Sequence, residues 1–337
     1  MKHLALVLAL LVAPLPALSG PVIGIAFPPA GDDAARAFTV TALDELGVRH
    51  VRIGETWARR PLHATPEDFA PLQRRIGALR AGGLRVLLTV SADGPDAACL
   101  RRNDKACAIA PDAPFEAFLG ALLAAVGDDL EAIQFANEWD SRFPGSTAEF
   151  LALHARFAAT VRRLRPDLTL VLGGVTGRAP YSVVFCEGGL VPDLGPEVDA
   201  TPIMQNLCEK DPERNRAARD MVSAALAQAD YDVADLHLYD AVNAWPDAVA
   251  WVRARTGGRP VWLTEFGGPN PEVEPTSPEY HASRLGLYLD TVARLPVARA
   301  YYFKLTDDPG SYHSLSGLYD RHGRPKPALE VFRAAMR

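Results

Sequence analysis

The stretch "VIGIAFPPAGDDA", Val22 to Ala34, is the first place where the chain sets one parallel α/β architecture against another. It opens with a β-branched apolar run and passes through Pro28-Pro29 into the start of a helical pattern, the strand-to-helix step of an α/β protein. An open doubly wound sheet would carry a glycine-rich GxGxxG turn at this first junction, to receive a nucleotide. "FPPAGDDA" has no such turn. The run therefore reads as the first strand of a different parallel architecture.

Seven further apolar, β-rich runs follow: "HVRIGETW" (His50 to Trp57), "RVLLTVSA" (Arg85 to Ala92), "AIQFANE" (Ala132 to Glu138), "LTLVLGGV" (Leu168 to Val175), "VADLHLYD" (Val233 to Asp240), "VWLTEFG" (Val261 to Gly267) and "RAYYFKL" (Arg299 to Leu305). Amphipathic segments separate them, among them "AARAFTVTALDELG", "PEDFAPLQRRIGALRAGG" and "AEFLALHARFAATVRRLRPD", with apolar residues three and four apart and Gly or Pro-Asp at their ends. Eight strand–helix units in 337 residues predict a single-domain (β/α)₈ TIM barrel. Between the fifth strand and its helix, Thr176 to Pro212 is long enough for a lid or binding loop on the face where barrel enzymes work.

The first residues, "MKHLALVLALLVAPLPALSG", pair a basic start at Lys2 with an apolar run and the small-residue pattern Ala17-Leu18-Ser19. This is the layout of an export signal over residues 1–19, cut near Gly20, which leaves residues 20–337 as the barrel and predicts a secreted or periplasmic protein. The run is too short to span a bilayer, which takes about 20 apolar residues, so no stable membrane insertion is expected once it is cut. Export puts the four cysteines where disulfides persist. Of the three pairings that four cysteines allow, locality favours Cys99 with Cys107 and Cys186 with Cys208. A formal net charge of −6 and the lack of basic runs exclude a nucleic-acid partner and favour a neutral or weakly charged ligand.

In this architecture, reactive groups project from the C-terminal ends of strands. The polar residues collected there are Arg52, Asn137, Glu138, His237, Tyr239 and Glu265. Singly, each has a structural explanation: a cap, an ion pair, a core histidine or a satisfied tyrosine hydroxyl. Together, two carboxylates at one site suit hydrolysis of a glycosidic bond, one protonating the leaving oxygen and the other attacking carbon or activating water. Asp235 and His237 on strand six admit a metal-dependent reading, but an HxH pair and the further ligands of such a centre are missing.

These motifs resemble a known group. "ANE" ending strand four, "HLY" ending strand six, "TEFG" ending strand seven and an arginine ending strand two are similar to the clan-A retaining glycoside hydrolases, the cellulase-like (β/α)₈ barrels. "GLYDRHGRPKPAL", Gly317 to Leu329, is similar to the segment leading into their last helix. The resemblance implies a carbohydrate substrate and no cofactor, with Glu138 as general acid/base, Glu265 as nucleophile and Asn137 on the sugar 2-hydroxyl. Arg52 and Tyr239 would keep Glu265 ionised and aimed, and Glu138, facing a second carboxylate, would hold its proton to higher pH. Where many clan members end strand eight with a tryptophan flooring the subsite, this chain reads "YYFKLTDD", so Phe303 stands in for it or Lys304 alters the site. Trp57, Trp139, Tyr181 and Tyr312 are candidate sugar-stacking platforms. The expectation is a secreted retaining β-glycosidase acting on a polysaccharide or oligosaccharide; the alternative is a catalytically inactive clan-A barrel that binds glycan.

Overall fold

The structure, a computed structural model, describes residues 20–195 and 198–337. The export signal read in residues 1–19 lies outside the described residues. Eight parallel strands form the sheet: β1 (Val22–Ala26), β2 (His50–Glu55), β3 (Arg85–Val90), β4 (Ala132–Asn137), β5 (Thr169–Gly174), β6 (Ala234–Tyr239), β7 (Val261–Gly267) and β8 (Arg299–Phe303). Their order is β5-β4-β3-β2-β1-β8-β7-β6. The ring closes between β5 and β6 through a parallel bridge at Val171 and Val233 and a 2.8 Å hydrogen bond from His237 N to Val175 O. The molecule is thus a nearly closed (β/α)₈ barrel in one domain, as the alternation of runs predicts. Most of the strands stop one or two residues short of the apolar runs that announce them.

The crossover helices are α1 (Asp33–Glu45), α2 (Ala70–Ala81), α3 (Phe115–Val126), α4 (Thr147–Leu164), α5 (Pro212–Gln228), α6 (Trp245–Arg253), α7 (Pro278–Val292) and α8 (Pro327–Ala335). Their starts follow the capping chemistry of their first residues. Asp32 accepts from Ala35 N at 2.8 Å, Ser277 accepts from Tyr280 N at 3.1 Å, and Ser146 with Glu149 forms a reciprocal capping box at α4. Among the described residues, no helix is long and apolar enough to cross a membrane.

The strands alternate between two environments. Outward residues such as Ile133 and Phe135 join the sheet–helix core, whereas Leu87, Ala132, Val233 and Trp262 pack with Ala26, Val171 and Tyr301 inside the barrel. Two residues further along the same strands, the inward positions turn polar: Thr89, Gln134, Asp235 and Thr264, all buried. This switch marks the end of the ring where chemistry can be built.

Two connections hold structure that the sequence reading left open. Between β3 and α3, Cys99–Arg102 and Cys107–Ile109 pair as an antiparallel hairpin, stapled by Cys99–Cys107. Between β5 and α5, short helical turns carry the Cys186–Cys208 disulfide, and Val184, Phe185, Leu194 and Ala200 pack with Ala241 and Ala244 into a small core of their own. Both pairings are those that locality favours.

Candidate active site

The C-terminal end of β4 shows how the chain delivers its polar residues. Ala136 and Glu138 both have positive φ, 67° and 51°, a conformation costing about 1–3 kcal/mol for a residue with a side chain. Among the described residues every other non-glycine positive φ, at Phe27 and Asp240, also lies just past a barrel strand at this end. The kink leaves Asn137 and Glu138 at the mouth and folds Trp139 back into the core. There its ring stacks on Phe150 at 4.2 Å and its indole N–H donates to Gly173 O at 3.0 Å. The kink needs room on β5. A Cβ on Gly173 would meet Phe135 O at 1.9 Å, and one on Gly174 would meet His237 Nε2 at 2.5 Å. Asp140 then ties the turn down, accepting from Thr176 N at 3.0 Å and Thr176 Oγ1 at 2.6 Å.

Arg52, fully buried, is the hub. Its Nε donates to Thr89 Oγ1 and Gln134 Oε1, both at 2.9 Å, its Nη1 to Glu265 Oε1 at 2.5 Å, and its Nη2 to Asn137 Oδ1 at 2.7 Å. Phe27 covers the guanidinium, its ring centroid 4.6 Å from Cζ. The other oxygen of Glu265 accepts from the Tyr239 hydroxyl at 2.5 Å. Burial, reinforced by the Glu265 charge, pushes that hydroxyl well above its ordinary range, so it remains a donor. Asn137 spends its carbonyl on Arg52, and its amide N–H₂ has no partner among the described residues.

His237 joins the two carboxylates. Its Nδ1 lies 3.2 Å from Glu138 Oε1 and 3.6 Å from Glu265 Oε2, and its Nε2 lies 3.1 Å from Thr264 Oγ1. Thr264 Oγ1 donates in turn to Asp235 Oδ2 at 2.5 Å, which also accepts from Gln134 Nε2 at 2.5 Å. Burial by itself would depress the imidazole, but the charge of Glu265 and the hydrogen bonds of Asp235 and Glu138 outweigh it and raise its pKa to about 10. Burial likewise pushes Glu138 up, but the hydrogen bond and charge of His237, with Arg142 and Arg52 behind them, bring its pKa down to about 2. Here the sequence expectation is corrected. Repulsion from Glu265 alone would keep Glu138 protonated, but the His237 ring between the two carboxylates, 3.2 and 3.6 Å from their oxygens, offsets that repulsion. Arg142, which pairs with the outer oxygen of Glu138, adds to the effect.

The structure brings Arg52, Asn137, Glu138, His237, Tyr239 and Glu265 into one connected cluster. Two aromatic candidates fall away. Trp57 is wholly buried, stacked on Phe118 at 5.2 Å and donating to Pro61 O at 3.1 Å, and Trp139 is 1% exposed. Neither presents a face to a sugar. Each follows a polar strand end directly, and the backbone turns it back under the helices. Tyr181 is half-buried, its hydroxyl donating to Tyr239 O at 3.1 Å. Tyr312 is 58% exposed and meets His313 edge-on at 5.2 Å.

At strand eight, Phe303 sets its ring edge-on to Phe27 and Tyr239, with centroids 6.4 and 6.1 Å away. Lys304 is turned aside, donating to Asp308 Oδ2 at 2.6 Å. His313, which no periodicity or motif marks, lies in the loop after β8 and stacks flat on Tyr239 at 4.1 Å and 6°. Burial lowers its pKa to about 4, so a neutral ring backs the tyrosine.

Glu138, His237 and Glu265 each offer a ligand atom, all within 4.8 Å of one another, the spacing of a metal site. A cation is a poor occupant, because Arg52 and Tyr239 already use the oxygens of Glu265, and Arg142 and His237 those of Glu138. Asp93 with Cys99 and Cys107 has a similar spacing, but those sulfurs are joined in a disulfide.

No protein-family model and no curated protein sequence matches the chain. Solved structures share the barrel over nearly its whole length. An exo-β-1,4-mannosidase from Opitutaceae bacterium strain TAV5 superposes with a TM-score of 0.65 at 19% identity, over 94% of this chain and 59% of that one. A GH5_18 protein from Streptomyces cattleya, solved with GlcNAc, gives 0.68 at 19% identity, over 95% of this chain and 80% of that one. A family 39 glycoside hydrolase from Bacteroides cellulosilyticus WH2 gives 0.62 at 15% identity, over 94% and 64%. The chain thus spans less than two thirds of the mannosidase and of the family 39 protein. At such identities the likeness is one of fold, the fold of the glycoside hydrolases that the strand-end motifs resemble.

Proposed function

We propose that the protein is an exported retaining β-glycosidase that cleaves a polysaccharide or oligosaccharide by double displacement. One observation carries this reading: Glu138 and Glu265, at the ends of β4 and β7, bring carboxylate oxygens within 4.8 Å of each other. Retaining pairs stand about 5–5.5 Å apart and inverting pairs about 6.5–9.5 Å. The barrel neighbours, an exo-β-1,4-mannosidase among them, support a β-glycoside as substrate. The two disulfides suit an oxidising compartment.

In this mechanism Glu265, aimed by Arg52 and Tyr239, attacks the anomeric carbon. The leaving oxygen takes a proton from Glu138, and the glycosyl ester on Glu265 is then hydrolysed by water that returns a proton to Glu138. The first proton is held between Glu138 and His237 across their 3.2 Å contact. In the free protein it rests on the imidazole. A sugar that enters between Arg142 and Glu138 strips the carboxylate of that cation and draws the proton across. The unused amide of Asn137 is placed to donate to the 2-hydroxyl.

Azide separates the roles. Glu138→Ala should still glycosylate from an activated aryl β-glycoside, stall at the ester, and with azide give a glycosyl azide of retained configuration. Glu265→Ala with azide should give the inverted product from a single displacement. Exchanged products would reverse the assignment. No turnover by the wild type on a broad aryl-glycoside panel would leave a glycan-binding barrel.

A further inference from the structure

Beside the catalytic cluster, on the same face, lies a cavity of about 450 Å³ that the proposed chemistry does not use. Its wall comes from the loop after β1, the end of β2 and the first turns of α2, and includes Phe27, Glu55, Arg59, Arg60 and Arg75. Phe27 divides it from the reacting groups: the ring that lines the cavity is also the one over Arg52, whose guanidinium binds Glu265.

The charges lining this cavity do not balance. Glu55 is committed to Arg60, at 2.6 Å. Arg59 makes no ion pair or side-chain hydrogen bond among the described residues. Arg75 has a single bond, a 3.4 Å contact from Nη1 to Gly54 O, and its Nε is buried without a partner. Burial lowers the Arg75 pKa, the charge of Glu55 only partly opposing it. Two guanidinium groups thus line an open cavity, Arg59 from its exposed rim and Arg75 from its half-buried wall, in a protein of formal net charge −6. A buried charged donor left unmatched is costly, and a planar fork of N–H donors matches a carboxylate or a sulfate, which answers both the charge and the geometry. A neutral hydroxyl answers only part of the geometry.

We propose that this cavity receives an anionic substituent of the glycan, a uronic acid carboxylate or a sulfate half-ester, gripped by Arg59 and Arg75, so that the substrate is an acidic carbohydrate. That the anion is carried by a sugar rests on the glycosidase reading above; the anion site itself does not.

The test is a titration of the full chain with arginine side-chain N–H resonances as the readout, at low ionic strength. The probes are methyl β-D-glucuronide, methyl β-D-glucoside 6-sulfate and methyl β-D-glucoside. Both anions, or one of them, should move the Arg59 and Arg75 signals saturably, at least about tenfold more tightly than the neutral glucoside, as a charge-assisted bond requires. The tighter anion identifies carboxylate or sulfate. Arg59→Gln/Arg75→Gln should abolish the preference, whereas Arg74→Gln/Arg80→Gln, which removes the same charge from exposed positions of α2 outside the cavity, should keep it. Arg59→Gln alone, at an exposed position, should weaken binding several-fold even if loss of Arg75 unsettles the fold. Saturable shifts that are equal for all three probes, shifts that survive the double variant, or no saturable shift with either anion would overturn the proposal. Anion binding by a protein inactive on every aryl glycoside would uphold this site and sink the glycosidase; the reverse pattern would do the opposite.

Discussion

The two carboxylates differ in how they are held, although both end a barrel strand. Glu265 sits inside β7, where the register shifts by one residue against both β6 and β8, its side chain 7% exposed, with both oxygens taken by enclosed partners: a buried arginine and a tyrosine stacked under a histidine. Glu138 sits on a left-handed residue past the strand end, its side chain 14% exposed, with one oxygen on His237 and the other on Arg142, itself 39% exposed. In the proposed mechanism, the first environment suits the nucleophile, which attacks one carbon from one direction. In that mechanism, the second suits a group that exchanges protons, because its partners are a titratable ring and a partly exposed arginine.

The largest effect should come from breaking the rigid side. Arg52→Met removes the donor to Glu265 and cuts Asn137, Thr89 and Gln134 loose. A loss of about 10²–10³ in kcat/KM on an activated aryl glycoside is expected, the scale for removing one preorganised donor, with a fall in Tm because a buried charge pair has been opened. A loss below about tenfold would mean that Tyr239 alone can aim Glu265.

A smaller loss should follow from disturbing the group that both sides share. Gly174→Ala puts a methyl group into the His237 ring, 2.5 Å from Nε2 before relaxation, and shifts the imidazole against both carboxylates. Roughly tenfold to a hundredfold should be lost in kcat, more on poor leaving groups than on activated ones, as misplacement by about an ångström implies. Equal loss on both substrate types would mean that Glu265, not the proton path, has been displaced.

The smallest effect should lie on the exposed side. Arg142→Gln takes a positive charge from beside Glu138, so the Glu138–His237 pair should bind its protons more tightly. The sign follows from Arg142 lowering the Glu138 pKa. The basic limb of the pH profile of kcat/KM should move upward, while the maximum stays within about tenfold, since a pairing this exposed contributes little. A limb that stays fixed or moves downward would show that Arg142 does not act on the proton.

What was legible in the sequence follows this division. The strands were readable because apolar runs of the right length recur between amphipathic segments, and the strand-end polar residues because the architecture sends them to one face. Cysteine pairing was readable because each pair closes one local loop. The protonation of Glu138 was not. It depends on His237 lying between two carboxylates from other strands, and that distance exists only once the ring has closed. Trp57 and Trp139 misled because their neighbours suggest the mouth, whereas a positive φ at Glu138 turns Trp139 inward. His313 and the guanidinium groups of Arg59 and Arg75 lie in loops or on a helix turn, where no period marks them.

The closure of the ring has a further consequence, in time rather than in space. β2 and β3 pair residue for residue from His50–Arg85 to Glu55–Val90, but β5 and β6 are joined around the Val171–Val233 bridge, where Leu172 N bonds Val233 O and Asp232 N and Val233 N bond Leu170 O, and beyond it by the bond from His237 N to Val175 O. Backbone amides along a seam with so few ladder bonds exchange with solvent through local opening, at lower free energy than those of a continuous ladder such as β2–β3. The seam carries Gly174 on one side and His237 on the other. Each opening there withdraws the imidazole from Glu138 and Glu265 while the rest of the barrel stays folded. On heating, activity on an aryl glycoside is therefore expected to fall at a lower temperature than the circular-dichroism signal of the fold, and coincident transitions would show that the β5–β6 seam does not open separately.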